Sequence, residues 1–373
     1  NKITFSGLNT NNNGGKSHFF IAAGKLKVMG NDFSSSPLNN PASGTIARPV
    51  MFNLTSTLSQ AKIHDNVFDG FGLGMLLAAN ASNLDIYHND FKNAVELAAS
   101  TYGAAIAFYE GFNPSGLVNI HNNNFENSTN GIRTSGAGTS ALPSTNLLRI
   151  RHNKFSGMTN AAIRLGSSFT GTLDALCNSY GTAAPFAPEL GTTGNVISVA
   201  GSATINHRNW LVYGDADAAA LGFQTKTQYT VATTGNATEN NNDYRLLSNA
   251  IGCAVKGDVV TLDGNFDWNN PMAIQEWAKG NDGNVATASD NWSVLMPLNV
   301  DSVTLTGINT ATVNGPGDLP QANLETFIAS NTGHNAKWNI NNLTVKDIDL
   351  AISFNNTTSG AADSLQLHHN TIY

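Results

Sequence analysis

Histidines are the residues of this chain whose type and spacing most directly suggest chemistry. Six of the nine lie one or two positions before a recurring asparagine: His64, His121 and His368 two before it, and His88, His152 and His369 one before it. Stacked copies would align them in two columns, and imidazole nitrogens bind transition metals. Other residue types interrupt both columns: Met29, Tyr87, Arg151, Gly30, Asp65 and Asn122. The spacing therefore favours solvated histidines at strand edges and predicts no metal site.

Carboxylates are the second group with chemical potential, because polysaccharide lyases use calcium-bound acids and hydrolases use paired acids. Stacking would bring such acids into one column. Four residues before the asparagine, the column is Lys27, Lys62, Asp85, Asn119, Arg149 and Gln366. One residue after it, the column is Asp32, Val67, Asp90, Asn124, Lys154 and Thr371. Neither column is acidic, so the sequence favours a protein without catalysis while leaving an enzyme open, and we expect no catalytic residue.

A few other residues could contact a ligand. Asp215 with Asp217, and Asp347 with Asp349, could each offer two carboxylates to calcium, but two alone make a weak site, and no cofactor is expected. A groove for polysaccharide would draw on a tyrosine, histidine and acid set: Tyr87, His88, Tyr109 and Glu110. These residues support the alternative function, a polysaccharide-binding or lyase-like protein.

The recurring asparagine belongs to a degenerate repeat. Its six copies are Leu26–Phe33, Ala61–Phe68, Leu84–Phe91, Val118–Phe125, Leu148–Phe155 and Leu365–Ile372. Apolar residues five and three positions before the asparagine alternate with polar ones, which indicates a strand with one buried face. Single copies of this length cannot bury that face alone, so they must stack as the coils of a solenoid.

Stacking predicts a structural role for the asparagines themselves. Equivalent residues of neighbouring coils lie about 4.8 Å apart, which allows each side-chain amide to bond the next one and the turn backbone. The predicted ladder residues are Asn31, Asn66, Asn89, Asn123, Asn153 and Asn370. This ladder also accounts for the 51 asparagines among 373 residues.

The motif, apolar-x-apolar-x-x-Asn-x-Phe followed by a small residue and a second apolar pair, resembles the repeat of right-handed parallel β-helix proteins of the pectate-lyase-like superfamily, of the bacterial secreted and surface type. The resemblance covers most of the chain. It implies an all-β parallel solenoid and an extracellular or cell-surface location. It implies little about activity, because the scaffold carries lyases, hydrolases, epimerases, adhesins and inert fibres. Segments at Leu173–Thr182, Asn209–Leu211 and Gly222–Gln224 resemble those that close the last coils.

The order of motifs along the chain predicts the end of one β-helix section followed by the start of a second. Residues 1–182 carry coils, residues 183–243 form a closing or linker segment, and residues 244–373 start a second β-helix section. Helical spacing predicts a capping helix near 244–256, and a Pro at the first helical position predicts a second near 271–279. The chain's own ends are therefore expected to fall inside coils.

The two ends suggest a joint between units. Asn370-Thr-Ile372 has the form of the turn motif, and Ile3-Thr-Phe5 has the form of the apolar pair that follows it. We therefore expect head-to-tail contact with copies of the same unit, by assembly or by tandem repetition. The residues expected at this joint are Ile3, Phe5, Leu365, Leu367, Ile372 and Tyr373.

Composition limits the remaining classes. Only 12% of residues are charged, the net charge is -7, and no basic stripe occurs, so nucleic acid is not an expected partner. No apolar run is long enough to predict a membrane span. Cys177 and Cys253 fit either a single disulfide or two buried thiols. The sequence thus predicts an extracellular structural or adhesive protein that builds a fibre, sheath or stalk, with polysaccharide as the alternative partner.

Overall fold

The computed structural model is almost entirely β. It describes residues 2–5, 17–21, 24–35, 48–52, 57–77, 80–81, 83–95, 103–108, 116–134, 147–167, 172–180, 197–199, 203–206, 209–211, 214–233, 243–267, 294–297, 300, 302–315, 326–330, 337–348, 350–354 and 364–373. By its internal contacts the chain divides into two compact units. The first comprises Asn1–Thr182, Leu190–His207 and Asp215–Thr225, and the second comprises Ala183–Glu189, Arg208–Gly214 and Lys226–Tyr373.

The first unit is a stack of short parallel strands. In chain order they are β1 (Lys2–Phe5), β2 (Ser17–Ile21), β3 (Gly24–Met29), β4 (Asp32–Ser35), β5 (Arg48–Phe52), β6 (Thr57–His64), β7 (Val67–Asp69), β8 (Leu73–Leu77), β9 (Asn80–Ala81), β10 (Leu84–Tyr87), β11 (Asp90–Lys92), β12 (Ala104–Phe108), β13 (Val118–His121), β14 (Asn124–Glu126), β15 (Asn130–Thr134), β16 (Leu148–Arg151), β17 (Lys154–Ser156), β18 (Ala161–Leu165), β19 (Thr172–Asp174), β20 (Ile197–Val199) and β21 (Thr204–Asn206).

These strands form three sheets that the chain visits in turn. Sheet A has the order β1-β4-β7-β11-β14-β17, and sheet B has the order β2-β5-β8-β12-β15-β18-β20. Sheet C has the order β3-β6-β10-β13-β16-β19-β21, with β9 paired beside β6. Each coil contributes one strand to each sheet and each strand pairs with its equivalent one coil along, which confirms the predicted parallel solenoid.

Period-two alternation places the core as the sequence predicts. Ile86 pairs in register with Ile63 and Ile120, and Phe91 with Phe68 and Phe125. The predicted core residues Ile86, Phe91, Ile120, Phe125, Ile150 and Phe155 are all at most 1% exposed. A shift of one residue in the pairing would move these apolar side chains from the core face to the solvent face. Their burial therefore confirms the predicted register.

At the corner between sheets C and A, the chain turns at a residue with left-handed backbone conformation. The residue just before the ladder asparagine has a positive φ in successive coils: Gly30, Asp65, His88, Asn122, His152 and Cys177. Asn, Asp and His enter this region more readily than most residues other than Gly. This corner explains why polar residue types and glycine dominate that position of the repeat.

The second unit contains the helix α1 (Asp243–Gly252), which follows its first strand, and a set of parallel strands. Its strands are β22 (Gln228–Ala232), β23 (Val259–Asp267), β24 (Val294–Pro297), β25 (Val303–Asn314), β26 (Thr326–Ser330), β27 (Lys337–Asn341), β28 (Thr344–Lys346), β29 (Leu350–Phe354), β30 (Ser364–His368) and β31 (Thr371–Ile372). Sheet D has the order β22-β23-β25-β27-β30, with β28 paired to β25 and β31, and sheet E has the order β24-β26-β29.

Helix α1 corresponds to the first predicted capping helix. Its buried face includes Leu247 and Ala250, both 0% exposed, and the Ala250 carbonyl accepts a 3.0 Å hydrogen bond from the Tyr229 hydroxyl on β22. The helix ends at Gly252, short of the predicted position 256. The second predicted helix, 271–279, lies outside the described residues.

Candidate functional site

The recurring asparagines of the first unit form a continuous hydrogen-bonded ladder at the corner between sheets C and A. The Asn89 backbone N–H and Nδ2 both donate to Oδ1 of Asn123, at 3.1 and 2.9 Å. Asn89 Nδ2 also donates to the carbonyls of Ile63 and Tyr87. The same side-chain link joins Asn31 to Asn66, Asn66 to Asn89, Asn123 to Asn153 and Asn153 to Asn178.

Asn178 is a ladder residue that the sequence analysis missed. It is 0% exposed and continues the ladder beyond Asn153. Its copy of the repeat carries Tyr180 where the others carry Phe, and that ring stacks on Phe155 with centroids 5.9 Å apart. The sequence does contain a signal for Asn178, because the aromatic residue Tyr180 follows it by two positions, as Phe does in the other copies.

Asn370 lies in the second unit, and its neighbour at the ladder position of the preceding coil is Leu343 instead of an asparagine. Its Oδ1 accepts a 3.1 Å bond from the Leu343 N–H, and its Nδ2 donates to the Ile340 carbonyl at 2.8 Å. Leu343 therefore occupies the ladder position one coil earlier. Asn370 makes the same backbone contacts as its counterparts, but it does not continue an asparagine ladder on that side.

A second ladder of rings projects from the outer face of sheet C. His64 and Tyr87 stack with centroids 4.7 Å apart, and Tyr87 and His121 stack at 5.3 Å, with interplanar angles of 7° and 11°. His64 Nδ1 lies 2.7 Å from Asp65 Oδ2, and His121 Nε2 lies 2.9 Å from Asp85 Oδ1. His88, part of the predicted groove set, packs edge-on against Tyr87.

The acids next to this ladder shift the protonation of the rings. Partial burial lowers the pKa of His121, but its hydrogen bonds to Asp85 and Asn122 outweigh burial and raise that pKa above the usual histidine value. For Asp85, burial raises the pKa, and the bond to His121 reverses the shift, so the net pKa is lowered. His121 and Asp85 therefore form an ion pair over the pH range between the two values.

The stacking within the ring ladder leaves little flat face of Tyr87 free. Stacking covers the flat faces of Tyr87 and leaves mainly ring edges towards solvent, whereas a sugar packs on a flat aromatic face. No cluster of three or more His, Cys, Asp or Glu side chains suited to a metal occurs within the described residues. Tyr109 and Glu110 lie outside the described residues.

Charged and polar side chains form a column on the outer face of sheet C. Lys27, Lys62, Asp85, Asn119 and Arg149 occupy equivalent positions on successive strands. Asp174 follows in the same column, and the Arg151 Nε donates to it at 2.7 Å. Ile150, between the two arginines, is 0% exposed and faces the core, so the arginines lie on the outer face of β16.

The segment at 215–225 packs on middle coils of the first unit. The Phe223 N–H donates to the Asn122 carbonyl at 2.9 Å, and Gly222 N–H donates to Asp90 Oδ1 at 2.9 Å. A Cβ at Gly222 would lie 2.4 Å from the Cα of His88. The expectation that Gly222–Gln224 closes the last coil is therefore wrong for this unit.

The proposed calcium ligands of this segment have other partners. Asp215 Oδ1 accepts from the Asp217 and Gln224 N–H groups, and Asp217 Oδ1 accepts from Ala219 N–H. These bonds fix a turn. In the other pair, Asp347 is exposed, with a positive φ, and Asp349 lies outside the described residues.

The last coil of the second unit, residues 364–373, leaves apolar side chains uncovered; we call it the open end. Leu367 is 48% exposed, although Ile340, its register partner one coil earlier, is 2% exposed. Ile372 is 54% exposed, whereas its partner Val345 is 3% exposed. Leu365 is half-buried, and Tyr373 is 80% exposed. Among the described strands, none pairs with the outer edge of β30 or β31.

At the other end of the chain, the register of β1 overturns one expectation. Ile3 pairs with Phe33, two residues after Asn31, and Phe5 pairs with Ser35. Ile3 therefore occupies the same position of its coil as Ile372, which is two residues after Asn370. The two residues are not consecutive positions of a single coil, so the expected uninterrupted seam from Tyr373 into Asn1 is wrong.

Both cysteines, Cys177 and Cys253, are disulfide-bonded, which resolves the alternatives left open by the sequence. Within the described part of the chain, no helix has the length and apolarity needed to cross a membrane. Comparisons with protein-family models, curated proteins and solved structures found no match.

Proposed function

We propose that this chain is an extracellular structural or adhesive β-solenoid, without catalysis, that continues beyond its open end, by end-to-end stacking or by tandem repetition, as a component of a fibre, sheath or surface stalk. The observation that carries the proposal is the contrast in burial between the last coil and the coil before it. Leu367 and Ile372 hold core positions, yet each is about half exposed, at 48% and 54%. Leaving such side chains in water costs free energy that a covering coil would recover.

The chemistry of the open end favours a second copy of this chain as the cover. Residues 364–373 contain no Lys, Arg, Asp or Glu, although charges are a usual means of keeping exposed strand edges from pairing. The cover must supply paired backbone groups and apolar residues at alternate positions. A coil of the same repeat has both properties.

The disulfide-bonded state of the cysteines supports the extracellular part of the proposal. Disulfides persist in oxidising compartments and are rare in the cytosol. The low content of charged residues and the asparagine ladder suit a rigid element whose strength lies in repeated backbone and amide hydrogen bonds.

The polysaccharide alternative has weaker support. Its described candidates, Tyr87 and His88, lie in a ladder whose ring faces are stacked on each other. Asp85 and Asp174, the acids of the adjacent column, are paired with His121 and Arg151. These partners suit a stabilised surface better than a catalytic pair of acids.

Replacing Leu367 with Lys tests the proposal. The charge should not pair with an apolar coil, so we expect the assembled species to be lost and a monomer to remain in light scattering after size exclusion. Ile308→Lys is the matched control, because Ile308 is 41% exposed in the same unit but lies away from the open end. Equal masses for Leu367→Lys and the unmodified chain, with both folded by circular dichroism, would contradict the proposal.

A further inference from the structure

Residues 215–225, which we call the strap, lie across the corner between sheets C and A of the first unit. The Gly222 N–H donates to Asp90 Oδ1 and the Phe223 N–H donates to the Asn122 carbonyl, each at 2.9 Å. Phe223 is 0% exposed. A side-chain bond adds to these contacts, because Asn122 Nδ2 donates to the Phe223 carbonyl at 3.1 Å. The strap is therefore held at this corner by a small number of polar contacts around one residue of the repeat, Asn122.

The Asn122 side chain connects the strap to the ring of His121. Its Oδ1 lies 2.8 Å from His121 Nδ1, and the other ring nitrogen, Nε2, lies 2.9 Å from Asp85 Oδ1. A backbone carbonyl only accepts hydrogen bonds, so the Phe223 carbonyl orients Asn122 with Nδ2 towards the strap and Oδ1 towards the ring. Both ring nitrogens therefore face acceptor oxygens. Only the imidazolium form carries an N–H on each nitrogen.

Loss of the His121 proton is incompatible with this arrangement. A neutral ring keeps one N–H, so the lone pair of its other nitrogen faces an oxygen. If the N–H stays with Asp85, Nδ1 and Asn122 Oδ1 repel each other. Rotating the Asn122 amide by half a turn would let Nδ2 donate to the ring, but it would place Oδ1 against the Phe223 carbonyl. A neutral His121 and a docked strap therefore compete for the same amide.

We propose that Asp85, His121 and Asn122 form a pH-sensitive latch, which holds the strap on the corner while the His121 ring is protonated and weakens its docking once the ring is neutral. In the released state the Asn122 amide is able to donate to a neutral ring, so the pKa of His121 is lower there than in the docked state. Docking is strongest below the pKa of the released state, and it weakens as pH rises through the pKa of the docked state.

The electrostatics of the docked state agree with this direction. Burial lowers the pKa of His121, but its hydrogen bonds to Asp85 and Asn122 raise it above the usual histidine value. On β10, Tyr87 stacks on the ring with centroids 5.3 Å apart. On β16, the register partner of His121 is Arg151, whose guanidinium is bonded to Asp174.

Other titratable groups lie near the strap. A Cβ at Gly222 would lie 2.4 Å from the Cα of His88, and burial lowers the pKa of that histidine. Asp90 Oδ2 lies 3.1 Å from Lys92 Nζ. On the strap itself, Asp215 and Asp217 accept bonds from backbone N–H groups of the strap. His88 is therefore the competing histidine that a test must separate from His121.

The repeat contains a comparison for the latch two coils earlier. His64 and Asp65 hold the positions of His121 and Asn122, and His64 Nδ1 lies 2.7 Å from Asp65 Oδ2. A carboxylate thus accepts from the ring at this position, but it has no N–H to donate to a strap. The amide of Asn122 differs in carrying both functions.

Hydrogen exchange of the Phe223 N–H, measured by NMR from pH 5.5 to 9 and corrected for intrinsic exchange, tests the latch. We expect its protection factor to fall across the titration of the His121 ring, followed in the same sample. The fall should be about tenfold for each pKa unit that docking adds to His121. The Asn124 N–H, which donates to the Asn89 carbonyl at 2.9 Å in the same coil, should keep its protection.

Three variants identify the titrating group. Asp85→Asn keeps an oxygen for His121 Nε2 but removes the charge that favours the imidazolium, so the midpoint should move to lower pH. Asn122→Asp keeps the acceptor for the ring and loses the donor to Phe223, so protection should be low over the whole range. His88→Asn is the matched control, because asparagine tolerates the left-handed backbone of that position, as Asn122 does. Its midpoint should stay unchanged.

A fall in Phe223 protection at the His121 midpoint, shifted by Asp85→Asn and unchanged by His88→Asn, supports the latch. Constant protection from pH 5.5 to 9 overturns it, as does a midpoint that moves with His88→Asn and not with Asp85→Asn. Parallel loss of protection at Asn124 would mean that the whole coil opens, which also overturns a latch specific to the strap.

Discussion

At the scale of single residues, the asparagines show how a polar side chain becomes a core component. Asn123 is 0% exposed, and its amide makes five hydrogen bonds: to Ile86, His121 and Asn153, and two from Asn89. A buried amide is stable only when its donors and acceptors are paired. The sequence predicted such bonding because only stacking could pair so many asparagines.

Asp258 is a residue whose role the sequence did not indicate. It lies in the turn between α1 and β23, is 0% exposed, and accepts a 2.9 Å bond from the Val255 N–H through Oδ2. Its Oδ1 has no hydrogen-bond partner. Burial raises the pKa of Asp258 to about 6, and the Val255 bond offsets only part of that shift.

The raised pKa of Asp258 predicts a pH-dependent stability. In the unfolded chain Asp258 loses this proton near the ordinary aspartate pKa of 3.8, and in the folded chain it retains the proton up to about pH 6. The contribution of Asp258 to the free energy of unfolding should therefore fall as pH rises through that window, by up to about 3 kcal/mol, and stay constant above it.

Asp258→Asn should remove this part of the pH dependence, because an amide does not titrate in this range. Urea unfolding at several pH values between 4 and 7 measures the effect. Asp263→Asn, on the neighbouring strand β23, is the control, since Asp263 is half-buried and bonded to Asn309. The same pH slope in the Asp258→Asn variant and in the unmodified chain would contradict this explanation.

At the scale of elements, the ladder should couple neighbouring coils. Replacing Asn123 with Ala removes the acceptor of the Asn89 backbone N–H and the side-chain donor to the carbonyls of Ile86 and His121, while Asn89 Nδ2 keeps its bonds to Ile63 and Tyr87. At roughly 1 to 3 kcal/mol for each buried unpaired group, and with partial relaxation, we expect a loss of about 3 to 5 kcal/mol in the free energy of unfolding.

Urea unfolding followed by circular dichroism measures this loss. Asn119→Ala is the control, because Asn119 lies on the outer face of β13, in the same coil as Asn123, and its side chain donates a long bond, 3.3 Å, to Asp85. Its cost should stay below about 0.5 kcal/mol. Similar costs for the two substitutions would mean that the ladder does not couple the coils.

The elements were predictable where local pattern decides the structure. Alternation fixed the strands and register around Ile86 and Ile120, and helical spacing located α1. The position of β1 was not predictable, because Ile3-Thr-Phe5 fits either of two strands of a coil and only pairing with β4 distinguishes them. The contact of Gly222 with Asp90 joins residues 132 positions apart, and no local pattern encodes it.

At the scale of the whole molecule, the open end was only partly predictable. The sequence identified Leu365, Leu367 and Ile372 as core residues of a coil. It gave the wrong register for Ile3, because Ile3 pairs with Phe33 and so holds the same position of its coil as Ile372. The head-to-tail contact itself stays a prediction.

The measurement that tests the central claim most directly is the native mass of the unmodified chain, by sedimentation equilibrium over a wide concentration range. We predict a mass above the chain mass of 39.3 kDa that rises reversibly with concentration. The open end would then be covered by its own copy. A mass of 39.3 kDa at every concentration would contradict the claim that this end is an assembly surface.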